Sequence, residues 1–157
     1  MKKIIVGLLI LSCLCSCFCF SNLEKTIYSI FGNFDVVRVC VVDDKEWEYD
    51  DDSISSVVCG DKIFHYGTFD EIKNRDLNFD DVDSIQFYIV GATLSEIEEK
   101  LGGEIVFSEK IDEKNVTYLF VSCWKKSVAV ENKKVNCQIV ERENDIVVAF
   151  PMILTSY

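Results

Sequence analysis

Residues 93–103, TLSEIEEKLGG, decide the fold because they predict a helix with both ends marked. Thr93 and Glu96 form a capping box, in which the hydroxyl and the carboxylate satisfy backbone amides of the first turn. Apolar residues then recur at helical spacing, and Gly102 with Gly103 provides a left-handed stop. A short amphipathic helix of this kind has to bury its apolar stripe on one face of a sheet.

Strand-like segments lie on both sides of this helix. After it, polar turns separate five runs rich in β-branched and aromatic residues, at 105–107, 116–124, 127–130, 135–140 and 146–150. Before it, strands are predicted at 34–42, 54–58 and 63–66, around Trp47 and Tyr49, and at 85–90. The run at 85–90 is apolar throughout, which is typical of a central strand. Pro151 closes the last run, as expected where a ladder ends or lies at an edge.

A second helix is predicted at 23–31, where apolar residues share one side and Gly32 ends the element. Residues 69–77 predict a turn of helix, and 80–84 predict a loop. Helix followed by strands therefore occurs twice, which predicts an α+β fold with a curved antiparallel sheet covered by one or two helices. Two helix-plus-meander halves are consistent with a diverged duplication, although this order also arises without one.

The start of the chain predicts export. Lys2 and Lys3 are followed by no charge until Glu24, and the segment between is dominated by Ile, Val, Leu, Phe and Cys. A basic start followed by an apolar run is the pattern of a secretory signal. We therefore expect residues 1–21 to be a signal peptide, a lipoprotein signal or a membrane anchor.

The sequence leaves three fates open for this leader. Cys19 and Ser21 supply the small side chains that a signal peptidase recognises. Cys17, or less closely Cys13, lies in a pattern that resembles a bacterial lipobox, in which the cysteine sulfur receives diacylglycerol, and we favour this lipid-anchored form over cleavage. The third fate keeps Ile4 to Leu23 as a helix, since about 20 uncharged residues cross ~30 Å of hydrocarbon.

The remaining residues, 22–157, have the size of one domain. Removing the leader takes two lysines with it, which leaves 14 basic residues against 27 acidic ones and a charge of −13. Nucleic-acid binding is disfavoured, because such affinity is built from Lys and Arg that neutralise phosphates. A negative surface attracts cations or a basic partner instead.

Four cysteines lie in this domain: Cys40, Cys59, Cys123 and Cys137. An even number outside the cytosol permits two disulfides. Each also sits in a strand-like apolar run, where a free cysteine behaves as a small hydrophobe. Disulfides and buried thiols are therefore both open, and zinc is disfavoured because there is no C-x2-C pair.

His65 is the only histidine, and it lies between Phe64 and Tyr66 in a predicted strand. A general base at this position requires an orienting acid, and Asp61 is the nearest candidate in sequence. A structural histidine is the favoured interpretation. No serine lies in a G-x-S-x-G elbow and no Walker-type loop is present, so we predict neither a catalytic residue nor a cofactor.

The acidic run at 76–83 gives a weak metal candidate. Asp76, Asn78 and Asp80 offer oxygens at alternating positions, as the EF-hand loop does. The pattern then fails, because Asp81 stands where glycine is needed and Phe87 where the bidentate glutamate belongs.

The end of the chain carries a V-N-x-Q motif within residues 130–139, VENKKVNCQI, and then the apolar run 147–153, VVAFPMI. These segments resemble the end of the YwmB-like family of small exported bacterial proteins, in which such a hairpin precedes an apolar strand running into Pro and Ile. Asn132 and Phe150 stand where that family is expected to have glycine. The resemblance implies an exported protein with a fold similar to that of the TATA-binding protein and no established enzymatic activity.

These observations predict a non-enzymatic cell-envelope protein at the outer face of the cytoplasmic membrane, held by lipid or by a helix, or else secreted. It would present an acidic domain to an envelope protein or to the cell wall, through an exposed sheet face or edge. The leading alternative is a secreted cation- or small-molecule-binding module. An envelope enzyme comes third, and it requires a deep pocket that contains His65 and an acid.

Overall fold

A computed structural model describes residues 23–47, 53–75 and 77–155. The predictions that lie outside these residues concern Cys13, Cys17, Tyr49, Asp76 and the fate of residues 1–21. Among the residues described, no helix is both long and apolar enough to cross a bilayer.

The described residues form short helices and longer stretches of strand. The helices are α1 (Leu23–Phe31), α2 (Phe69–Lys73) and α3 (Leu94–Leu101). The strands are β1 (Asp35–Asp43), β2 (Ser55–Cys59), β3 (Lys62–Gly67), β4 (Ser84–Val90), β5 (Glu104–Ile111), β6 (Lys114–Phe120), β7 (Val128–Val130), β8 (Lys133–Val135), β9 (Cys137–Glu141) and β10 (Ile146–Phe150).

Eight of these strands form one antiparallel sheet in the order β2-β3-β1-β4-β10-β9-β6-β5. Strands β7 and β8 pair separately as a hairpin. The described chain is therefore α+β, with a mainly antiparallel sheet and a few short helices, as the sequence predicts. Pairing of β4 with β10 joins two groups of four strands at the middle of the sheet.

The predicted meander occurs in one half only. Strands β5, β6, β9 and β10 are neighbours in chain order, whereas β1 lies between β3 and β4. Strand β2 therefore lies at the edge of the sheet and does not pair with β1, the strand before it in the chain. The meander prediction was wrong for this half because the long apolar strand β1 pairs with β3 on one side and with β4 on the other. This pairing buries the second half of β1 completely.

Three predicted strands differ from the observed ones. The run at 116–124 ends as a strand at Phe120, and the run at 135–140 is interrupted at Asn136, which separates β8 from β9. Both breaks have one cause, the hydrogen bonds of the Asn136 side chain described below. Trp47 lies outside the strands, because it folds back onto His65.

The helix at 94–101 has the predicted ends. The backbone amide of Thr93 donates to Glu96 Oε2 at 2.8 Å, and Gly102 has φ of +59°. A second capping box, which the sequence analysis missed, starts α2: the Thr68 amide donates to Glu71 Oε2 at 2.7 Å. Both helices therefore begin with the same local arrangement.

The helices cover one face of the sheet. Phe31 of α1 stacks on Phe87 of β4 with ring centroids 4.0 Å apart, and Phe150 of β10 meets both rings edge-on. Ile97 and Leu101 of α3 belong to the same buried cluster. This face holds the larger of the two cores.

Hairpin β7–β8 and residues 151–155 pack against a second core cluster, formed by side chains that alternate with the first set along the strands. Ser84 Oγ donates to the Met152 carbonyl at 2.7 Å, and the Ile153 amide donates to Gln138 Oε1 at 2.9 Å. Buried polar side chains thus hold the end of the chain on the sheet.

Candidate functional site

His65 lies at the centre of a cluster with Asp43, Trp47 and Ser56, called here the His65 cluster. The His65 ring is 1% exposed, and it stacks on Trp47 with centroids 4.0 Å apart. Its Nε2 lies 3.2 Å from Asp43 Oδ1 and 3.1 Å from the Lys45 carbonyl, both acceptors, so this nitrogen carries the hydrogen. Its Nδ1 lies 2.9 Å from Ser56 Oγ.

The acid that orients the histidine is Asp43 and not Asp61, the nearest carboxylate in sequence. Pairing of β1 with β3 sets Asp43 opposite Ile63, two residues from His65 and on the same face of the sheet. Asp43 is itself fixed, because the Trp47 indole donates to its Oδ2 at 2.7 Å. This partner could not be recognised from the sequence, because the two residues are 22 positions apart.

A row of serine, histidine and aspartate is also the order of a nucleophile, its base and an orienting acid. Here the ring is covered by Trp47, and His65 is not among the residues that line the cavities beside α1, beside α3 and at the β9–β10 turn. The row instead ties the edge strand β2 to β3 and to the segment after β1. This is the arrangement of a satisfied structural histidine.

Strand β2, next to this cluster, is the exposed edge of the sheet. Among the described residues it pairs with β3 alone, and all five of its side chains are exposed. Val57 is 55% exposed and Val58 is 66% exposed. A strand at the edge of a sheet is a ready template for pairing with another chain, and here it carries exposed apolar side chains.

The opposite edge is protected in a way that β2 is not. Strand β5 carries charged side chains near both of its ends, Glu104, Glu109 and Lys110, and its register shifts between Ile105 and Phe107, which marks a bulge. Charges and bulges are the usual devices that prevent strand addition. Strand β2, with sequence SSVVC, has neither.

Carboxylates lie around Lys62, at the start of β3. Lys62 Nζ lies 2.8 Å from Asp83 Oδ2. This hydrogen bond raises the pKa of Lys62 above its usual value, and the nearby carboxylates of Asp61 and Asp44 act in the same direction. One lysine among three carboxylates leaves this end of the sheet negative, and Asp61 is the one of the three that lies in the turn between β2 and β3.

The predicted metal candidate is only partly described, since Asp76 lies outside the described residues. Asn78 Oδ1 accepts a hydrogen bond from the Asp80 amide at 3.1 Å, and Asp80 Oδ2 lies 3.9 Å from Lys125 Nζ. Within the described ranges there is no group of three or more His, Cys, Asp or Glu side chains that could hold a metal ion.

The four cysteines occupy different environments, and their thiols are free in the structure. Cys40 in β1 and Cys137 in β9 are buried. Cys59 is exposed at the end of β2, and Cys123 is half-buried in the turn after β6, outside the strand that the sequence predicts for it. Burial raises the pKa of Cys40 to about 12 and that of Cys137 well above its usual value. High pKa values keep both thiols protonated and unreactive.

The V-N-x-Q motif has a structural role that the sequence analysis did not assign. Asn136 is fully buried, its Oδ1 accepts from the Val121 amide at 2.7 Å, and its Nδ2 donates to the carbonyls of Val121 and Trp124 at 2.7 and 2.6 Å. Gln138 binds the Ile153 amide. The two amides hold the 121–124 turn and the end of the chain in place.

A cavity of about 580 Å³ lies between α1 and the end of α2 and is called here the basic cavity. Its described lining consists of Lys25, Tyr28, Ser29, Lys73, Asn74, Arg75 and Leu77. Sequence reasoning from the net charge missed this site, because the three basic side chains come together only in the folded chain.

Comparison with known proteins adds no identification. No family model matches the chain, and neither a curated protein nor a solved structure gives a match.

Proposed function

We propose that the chain is an exported, membrane-anchored, non-enzymatic protein of the cell envelope that binds another protein through the free edge of β2. The observation that carries this proposal is the edge position of β2, which pairs with β3 alone among the described strands, with Val57 and Val58 more than half exposed. An extended segment of a partner adds to such an edge as a further strand, with backbone hydrogen bonds for affinity and side-chain contacts for specificity.

The chemistry of the edge defines the partner segment. It should be extended, apolar where it faces the two valines, and basic where it passes Asp61 in the turn that ends β2. A basic segment is also the one attracted to a chain whose net charge is −11. The His65 cluster supports this role, because it holds β2 firmly to β3 through the 2.9 Å contact of Ser56.

Export and anchoring rest on the leader, whose two lysines precede an apolar segment with lipobox-like cysteines. The finer fold assignment, a likeness to the TATA-binding protein, rests on the YwmB-like pattern at the end of the chain. One continuous antiparallel sheet with α1 and α3 packed in the core on one face supports that likeness.

A photo-cross-linking amino acid tests the edge directly. It is placed at Val57, or at Ile105 on the opposite edge as the matched control, since that side chain is also exposed and apolar. In intact cells we expect a defined protein adduct from position 57 and none from position 105. The cross-linked peptide should be extended, apolar and basic, and Val58→Lys should abolish the adduct.

Equal adducts from both positions, or none from position 57, would contradict binding at this edge. If the protein co-sediments with purified cell wall and Val58→Lys weakens this co-sedimentation, the partner at this edge is a wall component and not a protein. Labelling with a radioactive fatty acid, in wild type and in Cys17→Ala, tests the anchor separately. Label in the wild type alone is the expected result.

A further inference from the structure

Cys123 and Cys137 flank the hairpin β7–β8 in the sequence and lie at its base in the fold. Cys137 is the first residue of β9, where it stands opposite Leu119 of β6. Cys123 lies in the turn that follows β6. Both side chains face the larger core cluster, in which Cys137 is fully buried and against which Cys123 packs. The fold thus places the two thiols on the same side of the sheet.

The side chain of Asn136 holds the Cys123 turn against the start of β9. It bonds the backbone of Val121 and of Trp124, on the two sides of Cys123, at 2.6 to 2.7 Å. Asn136 directly precedes Cys137, so the turn is fixed one residue away from the second cysteine. The electrostatics agree with this proximity, because Cys123 is, after burial itself, the second cause that raises the pKa of Cys137.

The sheet excludes the other pairings among the four cysteines of the domain. Bridged cysteines have Cα atoms less than about 7 Å apart, whereas neighbouring strands are about 4.8 Å apart. Cys40 belongs to the second core cluster, on the opposite face of the sheet from Cys123 and Cys137. Strand β3 lies between the strands of Cys40 and Cys59, which separates these two by about 10 Å or more. Cys59 is on the edge strand β2, further still from β6 and β9.

We propose that Cys123 and Cys137 form a disulfide in the exported chain, while Cys40 and Cys59 remain thiols. The inference rests on export in the proposed function, since disulfides persist in oxidising compartments, and the structure shows the reduced state. The bond closes a loop of about 15 residues around β7–β8. Among the described strands this hairpin pairs only with itself, so a covalent link at its base compensates for the sheet pairing that it lacks.

A disulfide-bearing oxidant of the envelope accepts the two electrons and is reduced to thiols. The sulfur of Cys123, the more exposed of the two, attacks the oxidant and forms a mixed disulfide, and one oxidant thiol is released. The sulfur of Cys137 then attacks that of Cys123 and releases the second thiol. Each cysteine gives up one proton, which the departing oxidant sulfurs take up. Because burial raises the pKa of Cys137, the second step precedes the closing of the core around it.

Peptide mapping of the full chain by mass spectrometry measures the pairing in two samples. One is extracted from acid-quenched cells, and the other is purified in detergent, reduced, and refolded with reduced and oxidised glutathione. Free thiols are alkylated in denaturant, and trypsin then cuts at the lysines between the two cysteines. Peptides 115–125 and 135–142 remain joined only through the disulfide. We expect this joined pair in both samples, with Cys40 and Cys59 alkylated.

Cys123→Ser and Cys59→Ser are matched variants that each remove one thiol. Cys123→Ser should abolish the joined peptides, whereas Cys59→Ser should retain them. The melting temperature of the refolded chain, followed by circular dichroism, reports the effect of the bond, since closing a loop of about 15 residues is expected to raise it by about 10 °C. A reductant should therefore lower the melting temperature of Cys59→Ser by that amount and leave that of Cys123→Ser unchanged.

Three outcomes would overturn the proposal. Alkylation of both cysteines in the glutathione sample excludes the pairing itself, whatever the compartment. A disulfide that joins Cys123 or Cys137 to another cysteine assigns a different bond. Joined peptides in glutathione together with free thiols in cells exclude the bond in the cell and contradict export. Fatty-acid labelling and the adduct from position 57 report on the proposed function separately, so a failed disulfide is distinguishable from a failed anchor or partner.

Discussion

Replacing Asn136 by alanine should destabilise the fold more than any comparable change at the surface. The substitution removes three hydrogen bonds in a site that is 0% exposed: the Val121 amide and the Trp124 carbonyl lose the Asn136 side chain as partner, and the Val121 carbonyl keeps only the Trp124 amide at 3.4 Å. An unsatisfied buried group costs about 1–3 kcal/mol. Because the turn relaxes and admits water, we expect the total loss in free energy of unfolding to be about 3–5 kcal/mol.

Urea denaturation followed by circular dichroism measures this loss. A domain is typically stable by only about 5–15 kcal/mol, so Asn136→Ala should shift the midpoint markedly or unfold the chain. Asn115→Ala is the matched control, since Asn115 is exposed and donates to Glu141 Oε2 at 3.0 Å. It should cost less than about 0.5 kcal/mol. A loss at Asn136 no larger than that at Asn115 would refute the role given to the buried amide.

Three further predictions test other parts of the structure. Trp47→Ala removes the ring stacked on His65 and the donor to Asp43, so it should cost about 2–4 kcal/mol, and the ring-current shift of the histidine protons should disappear from the NMR spectrum. A thiol reagent should modify exposed Cys59 rapidly in the native chain and Cys40 only on unfolding. Burial raises the pKa of Cys40 to about 12, which keeps this thiol protonated at every pH below about 10. Modification of Cys40 in the folded chain at pH 8 would therefore contradict its burial. Gly102→Ala should lower the free energy of unfolding by about 1–2 kcal/mol through backbone strain alone, since φ is +59° and no atom lies within 4 Å of the added carbon. An unchanged melting temperature would refute that backbone conformation.

Features encoded by neighbouring residues were predictable from the sequence. The capping box of Thr93 and Glu96 and the stop at Gly102 depend on contacts within one short segment, and the structure confirms them. The same signal was present at Thr68 and Glu71 and was overlooked. Local chemistry therefore identifies helix ends well, when it is sought at every position.

Features that depend on distant residues could not be predicted. His65 finds its acid 22 positions away, because the pairing of β1 with β3 sets which side chains meet. Lys25 and Lys73 are far apart in the sequence, yet they line the same cavity, so net charge alone gives no sign of a basic surface. The place of β1 between β3 and β4 follows from the same kind of long-range pairing.

The position of β10 has a consequence for how the molecule is made. This strand, at 146–150, is synthesised after the other nine described strands, yet it fills the gap between β4 and β9 at the centre of the sheet. In a nascent chain that lacks β10, the edges of β4 and β9 that pair with it have no partner strand, and the two groups of strands do not form one continuous sheet. The sheet therefore cannot close until residues 146–150 have been synthesised, and a stop codon shortly before residue 146 would release two unjoined groups of strands prone to self-association.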